Sequence, residues 1–294
     1  MTSFLDRLRD PEPLLLDGAT GTELTRCGVA TTLPLWSTAA ILDAPDVLEQ
    51  IHRDYAAAGA EVITANTFRT HERNIVAGGL LVEDAARLTR RAVDIARRGA
   101  GSSVWIAGSL APLEDCYSPE LTPEEAVLRR EHQKMAENLA AAGVDLILVE
   151  THNTIVEAVA ATQAAASTGL PVLVSFVCGT DGRLLSGESV TDAAATVVGF
   201  QPAGVLVNCG PAPDLLSPVK ALLSVCGETP VGAYGNIGRP DAAQGWVNTD
   251  AVAPTAYARF ARTWLDAGAT IIGGCCGTTP EHIRVLREAL RSEA

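Results

Sequence analysis

The stretch "AAGVDLILVETH", residues 141–152, joins an alanine-rich run to a short apolar run through one glycine, and ends on three polar residues. Glycine after a helical run supplies the left-handed C-cap that lets the chain turn tightly into the next element. The same punctuation recurs in "AAGAEVIT" (57–64) and "DAGATIIG" (266–273), so one helix-to-strand unit is used repeatedly. Outward from these three, apolar runs at 13–18, 61–68, 103–110, 145–152, 171–177, 204–210, 230–236 and 270–276 alternate with amphipathic segments. They are rich in leucine and β-branched residues and do not alternate with polar ones, the pattern of strands buried on both faces of a parallel sheet.

Helices are expected between them, from Pro45 to about Ala58, and near 82–98, 154–167, 189–199, 214–225, 251–267 and 280–291. In "TPEEAVLRREHQKMAENLAAAG", Thr122 reads as the N-cap, Pro123 as the first helical residue, Glu125 as the capping-box partner and Gly143 as the stop. Eight βα units with no break in composition predict an α/β chain, a single (β/α)₈ TIM barrel domain spanning 1–294. The open doubly wound sheet is the alternative, but "DGATGTEL" after the first strand lacks the glycine spacing of a dinucleotide-binding turn.

Composition narrows the partners. A net charge of −13 disfavours nucleic acid and anionic membranes. "MTSFLDRLRDPEP" lacks the apolar core of a signal peptide, and no apolar run approaches the ~20 residues of a membrane span. The expectation is a cytoplasmic protein with small-molecule substrates, either a monomer or a homo-oligomer.

In a barrel of this kind chemistry gathers at the C-terminal ends of the strands. Here those ends carry Asp17-Gly18, Asn66-Thr67, Glu150-Thr151-His152, Asn208-Cys209-Gly210, Tyr234-Gly235-Asn236 and Cys275-Cys276. Strands six and eight flank strand seven and so lie roughly 10 Å apart, close enough for inward side chains to converge. Cys209, Cys275 and Cys276 are therefore candidates for a three-thiolate Zn²⁺ site with its fourth position open. Gly273 and Gly274 are read as giving the backbone the freedom to aim both neighbouring sulfurs at one metal. A strained vicinal disulfide and inert packing remain as competing readings of the pair. Cys178 follows strand five near the rim; Cys27, Cys116 and Cys226 have no evident partners. None of the five histidines has ligand spacing, although His152 stands near the rim.

"LLLDGATGTEL" near the start, "LPLWS" at 33–37, "AGAEVITANTF", "AAGVDLILVET", "VNCG" at 207–210 and "GGCCGTTPEHI" near the end resemble, in order along nearly the whole chain, the homocysteine S-methyltransferase family. That resemblance implies a zinc-binding barrel in which Cys209, Cys275 and Cys276 hold the metal and the sulfur of homocysteine takes the open position. It implies that Asp17 and Glu150 hold the amino acid, with the backbone N–H groups of Gly18, Ala19 and Thr20 as candidates for its carboxylate. Asn236 stands in "GNIG", where the family often has Pro-Asn-Ser/Ala-Gly; its carboxamide oxygen is a candidate for the open zinc position before substrate arrives.

The methyl donor is less constrained. Branches of the family use S-methylmethionine or S-adenosylmethionine, betaine, or a methyl-corrinoid. Extra folate and cobalamin domains are not expected, since the sequence ends shortly after the eighth helix. The betaine branch has an aromatic residue where this chain has Thr151, and aromatics make up only 4% of the chain, so a sulfonium donor is favoured. Trp36, Trp246 and Tyr234 are the aromatic candidates for donor contact. A selenol or other thiol acceptor, and a barrel that binds a thiol amino acid without turnover, are the remaining alternatives.

Overall fold

Each apolar run becomes a strand, and all eight lie parallel in one sheet in the computed structural model, which describes residues 3–241 and 245–291. In chain order they are β1 (Leu14–Leu15), β2 (Val62–Ala65), β3 (Trp105–Leu110), β4 (Leu146–His152), β5 (Val172–Val177), β6 (Gly204–Pro211) and β7 (Val231–Asn236), then, after a hairpin of β8 (Gly238–Asp241) and β9 (Gly245–Asn248), the eighth barrel strand β10 (Ile271–Gly274). Neighbours run β1-β10-β7-β6-β5-β4-β3-β2. The ends meet where Leu16 bridges Val62, with Glu61 N donating to Leu15 O at 2.8 Å and Asp17 N to Val62 O at 3.0 Å. The barrel is closed, and its seam lies between β1 and β2.

Two apolar layers result from this closure. Leu14, Leu16, Val62, Ala107, Leu146, Leu148, Leu173, Leu206, Tyr234 and Ile271, drawn from all eight strands, form one buried cluster that fills the barrel. A larger cluster packs the outward strand faces against the helices. β4, β5 and β6 are buried at every residue, which is why their sequences do not alternate. Gly59, Gly143 and Gly268 end their helices at φ of 105°, 82° and 116°, a region that only glycine enters freely.

Three features differ from the sequence reading. Thr122 is not a helix cap: the helix runs Glu125–Ala142 from Glu124, and Thr122 ends a 3₁₀ turn at Pro119–Leu121. The β8–β9 hairpin, with Gly238 opposite Asn248, is not expected from the sequence pattern. Neither is the role of the N-terminal segment, where a short helix (Phe4–Arg7) stoppers the barrel floor. Phe4 joins the interior cluster and meets Trp105 edge-on at 5.7 Å. Arg7 reaches Glu61 at 2.6 Å and the carbonyls of Glu12 and Pro13. No helix among the described residues is long and apolar enough to cross a membrane.

Because Phe4 fills the floor rather than coating it, Phe4→Ala should cost about 3 kcal/mol, as other buried Phe truncations do. Urea unfolding measures this; a loss below about 0.5 kcal/mol would mean that the floor is not part of the cooperative core.

Candidate metal and substrate site

The adjacent cysteines do not share a strand. β10 ends at Gly274, and Cys275–Thr278 form a turn in which Thr278 N and Oγ1 both donate to Cys275 O, at 3.0 and 2.8 Å. Once the chain leaves strand geometry, the rule that successive side chains point to opposite faces no longer applies. Gly273 and Gly274 contribute space rather than unusual torsions, and neither has positive φ. A Cβ at Gly274 would stand 2.8 Å from that of Thr278, and one at Gly273 2.7 Å from that of Leu16. The left-handed residue is Cys209 itself, at φ 54°, inside a register shift between Asn208 and Pro211. β4 carries the matching irregularity, with Thr151 at φ 63° just after Glu150. Asn208 holds the two together: its Nδ2 donates to Thr151 Oγ1 at 2.8 Å, and its Oδ1 accepts from Thr151 N at 3.2 Å. A non-glycine residue in this region costs about 1–3 kcal/mol, which the surrounding bonds must offset.

The result is that the sulfurs of Cys209, Cys275 and Cys276 lie within 4.8 Å of one another, the only such cluster of metal-ligating groups among the described residues. All seven cysteines are free. The three thiols titrate as a unit. Contacts with Cys209 and Cys275 pull Cys276 down toward the thiolate, while contacts with Cys275 and Cys276 hold Cys209 up. The donor set fits a soft divalent metal: three sulfurs, a shared cavity and no basic side chain bonded to any of them. Cys209 and Cys275, at 2.7 Å, would separate by about an ångström to share a zinc at ~2.3 Å from each sulfur.

Asn236 is placed differently from the other expected site residues. It does not line the cavity, and its oxygen is already engaged: Oδ1 accepts from Cys276 N at 2.9 Å, and Nδ2 donates to Cys209 O at 2.6 Å. It bridges the two cysteine-bearing segments.

Above the sulfurs lies a cavity of about 350 Å³. Asp17, Gly18, Ala19, Thr20, Glu150 and the three cysteines all line it. Glu150 accepts from Ser109 Oγ at 2.5 Å and Tyr234 OH at 3.2 Å; Asp17 accepts from Thr64 N at 2.8 Å and Thr64 Oγ1 at 3.0 Å. Burial pushes Asp17 up to about 8, against the pull of Thr64, and Glu150 up to about 7, against the pull of Ser109 and Tyr234. Among the described residues neither is bonded to a cationic side chain. Beside them the helix Thr20–Arg26 begins without a side-chain cap, which leaves its first N–H groups for an anion. Ala19 N already donates to Thr278 Oγ1 at 3.3 Å.

Several lining residues were not singled out from sequence: Thr64, Ser109, Phe68, Arg69, Cys116 and Tyr117. Thr64 and Ser109 had one available signal, a polar residue inside an otherwise apolar strand. Of the aromatic candidates, Trp36 and Tyr234 line the cavity and Trp246 does not; Phe68 packs edge-on against Trp36 at 5.7 Å. Four of the thirteen aromatic residues thus line the cavity, so scarcity alone no longer argues against an onium ligand of any kind. His152 is fully buried against Leu110 O and belongs to no ligand cluster.

This geometry sets two outcomes. Asp17 has its pKa raised from 3.8 to about 8 on folding, so the folded state retains a proton that the unfolded chain releases. Stability is therefore unpenalised below pH ~4 and falls as pH rises toward 8. Asp17→Asn can keep both Thr64 contacts, so in substrate-free protein it should match wild type near pH 4 and be more stable at pH 8 by at least about 1.4 kcal/mol, one pKa unit. Urea titrations at both pH values measure this, and parallel curves would show that the carboxylate is already compensated. Asn236→Ala should lower metal affinity roughly 10–100-fold while leaving circular dichroism unchanged, the cost of losing an outer-shell support. Unaltered affinity in a metal competition titration would remove its clamping role.

The homocysteine S-methyltransferase family model matches residues 14–290. A curated relative, homocysteine S-methyltransferase 1 of Zea mays, is 28% identical over 308 residues, covering 94% of each chain. Selenocysteine Se-methyltransferase of Brassica oleracea var. italica is 27% identical over 311 residues, covering 95% of this chain and 89% of that one. The metallated crystal form of the homocysteine methyltransferase MmuM from Escherichia coli superimposes with a TM-score of 0.83 at 26% identity, covering 97% and 98% of the two chains. On the family match, which takes in the sulfur cluster and both cavity acids, this chain belongs to the homocysteine S-methyltransferase family.

Proposed function

We propose that the protein, acting as one catalytic unit over residues 1–294 in the cytoplasm, is a zinc-dependent methyltransferase that moves a methyl group from S-methylmethionine or S-adenosylmethionine to the thiol of homocysteine, giving methionine. The observation that carries this reading is the placement of three converging thiols beneath two buried acids that lack a cation, in one cavity. Cys209, Cys275 and Cys276 would hold Zn²⁺, which lowers the pKa of a coordinated thiol and so supplies a nucleophilic sulfur at neutral pH.

The chain's own residues do the rest. Asp17 and Glu150 bind the ammonium of homocysteine, and neutralisation of the pair is the gain that buried acids offer a cationic ligand. Ser109, Tyr234 and Thr64 fix the two carboxylates, so the amino acid is oriented with its thiol toward the sulfurs. The carboxylate faces the N–H groups that open the helix Thr20–Arg26. Trp36, Phe68, Tyr117 and Tyr234 line the cavity, where aromatic rings would attract a donor cation. In the transfer the homocysteine sulfur forms the new S–CH₃ bond, the donor's S–CH₃ bond breaks, and its electron pair stays on the donor sulfur. The leaving group is a neutral thioether, so no protein acid is required. The relative named as a selenocysteine methyltransferase keeps a selenol acceptor as a second reading.

Reduced protein reconstituted with zinc should carry about one Zn²⁺ per chain and form methionine from homocysteine and S-methylmethionine. Cys276→Ala should keep its fold and lose activity by more than the roughly 10–100-fold that a supporting residue costs. A panel of sulfonium donors, betaine and methylcobalamin, assayed with homocysteine and selenocysteine, measures the preference. Absence of zinc from reduced, reconstituted protein would overturn the mechanism; zinc without transfer from any donor would leave a binding barrel.

A further inference from the structure

The cavity contains one charge that the reaction does not use. Arg69 is the only basic residue among those lining it, and it has no hydrogen-bond or ion-pair partner among the described residues. In a chain with 35 acids and 22 lysines and arginines, an arginine facing an acid-lined cavity would ordinarily be paired. Its isolation is built in. Asn66 exchanges bonds with Ser37, at 2.7 Å to both Ser37 Oγ and Ser37 O. Thr67 Oγ1 accepts from Ser109 N at 2.9 Å and donates to Ser109 O at 3.0 Å, and Thr70 Oγ1 meets Thr89 Oγ1 at 2.8 Å. Phe68 is packed on Trp36. Each polar neighbour in the segment 66–70 is thus held by protein, and only the guanidinium is left open.

The nearby acids are engaged too. Arg73 takes Glu114 at 2.9 Å and Glu131 at 2.9 Å, while Asp115 accepts from Tyr117 N at 3.0 Å and Ser118 Oγ at 3.3 Å. Arg69 and Cys116 both line the cavity. Burial pushes the Cys116 thiol up, the Asp115 and Cys276 charges add to this, and the Arg69 charge opposes it, so the Arg69 charge is felt at Cys116.

An unpaired guanidinium repels the sulfonium that the cavity is proposed to receive unless the ligand brings an anion to it. The homocysteine carboxylate is directed to the helix start beside Asp17, which leaves the donor. We infer that Arg69 anchors the methyl donor, taking its carboxylate in a charge-assisted, bidentate hydrogen bond and selecting onium donors that carry one. The inference rests on the sulfonium-donor reading above and adds the residue that discriminates among such donors.

The test compares S-methylmethionine with its carboxamide, which retains sulfonium and ammonium and lacks only the anion. In zinc-loaded wild-type protein the acid should be the better substrate by about tenfold or more in kcat/KM, the worth of one charged hydrogen bond. Arg69→Gln should raise KM for S-methylmethionine by a similar factor, erase the preference for acid over amide, and leave homocysteine KM within about twofold. Arg69→Lys should retain part of the preference, and it carries the same test should the glutamine variant fail to fold. An acid-over-amide preference unchanged in the variants, equal losses with both donors, or a parallel rise in homocysteine KM would each overturn the assignment. Wild-type protein that uses neither donor would instead overturn the donor reading, and this inference with it.

Discussion

The site depends on one carboxamide. Asn236 joins the carbonyl of Cys209 to the amide of Cys276 across the end of β7, and so fixes two segments that are far apart in sequence but share one metal-ligating cluster. The bond to Cys209 O is buried and that from Cys276 N partly so; where burial is complete, a lost partner leaves an orphaned backbone group costing about 1–3 kcal/mol. The left-handed backbone at Cys209 and the turn at Cys275–Thr278 are tolerable because this clamp, together with the Asn208–Thr151 bonds, over-determines them. Strain at a ligand-bearing residue is thereby held by residues that touch no substrate.

A second constraint is electrostatic. Two acids and one thiolate-prone cysteine face a single cavity in a chain that is already strongly acidic. Burial disfavours the charged form of both acids, so each would gain from a cation brought beside it. Binding energy and site destabilisation are two aspects of the same desolvated carboxylates.

The barrel was legible in the sequence because its signals are local. A glycine after an alanine-rich run marks a helix end, and unbroken apolar runs mark strands buried on both faces, so Gly59, Gly143 and Gly268 and all eight strands could be placed. The cysteines were legible as a cluster because strand order alone brings them near one another. Less was legible where the outcome depends on distant partners. Thr122 has the composition of a cap, yet the chain stays extended through Glu124 before the helix begins. Asn236 offers an oxygen on paper; that both ends of its carboxamide are occupied depends on backbone positions 27 and 40 residues away. The solitude of Arg69 is a property of its neighbours' commitments, which no local pattern reveals.

Asp17 also has a structural part at the seam. β1 pairs with β2 through a single bridge and two flanking main-chain bonds, and the next amide along, that of Thr64, donates to the Asp17 carboxylate instead of to a carbonyl. The acid thus acts as one more rung of the ladder at the place where the barrel is least stitched. An ammonium drawn to that carboxylate would settle over the join, so an acceptor amino acid bound there would also serve as a clasp on the fold that binds it.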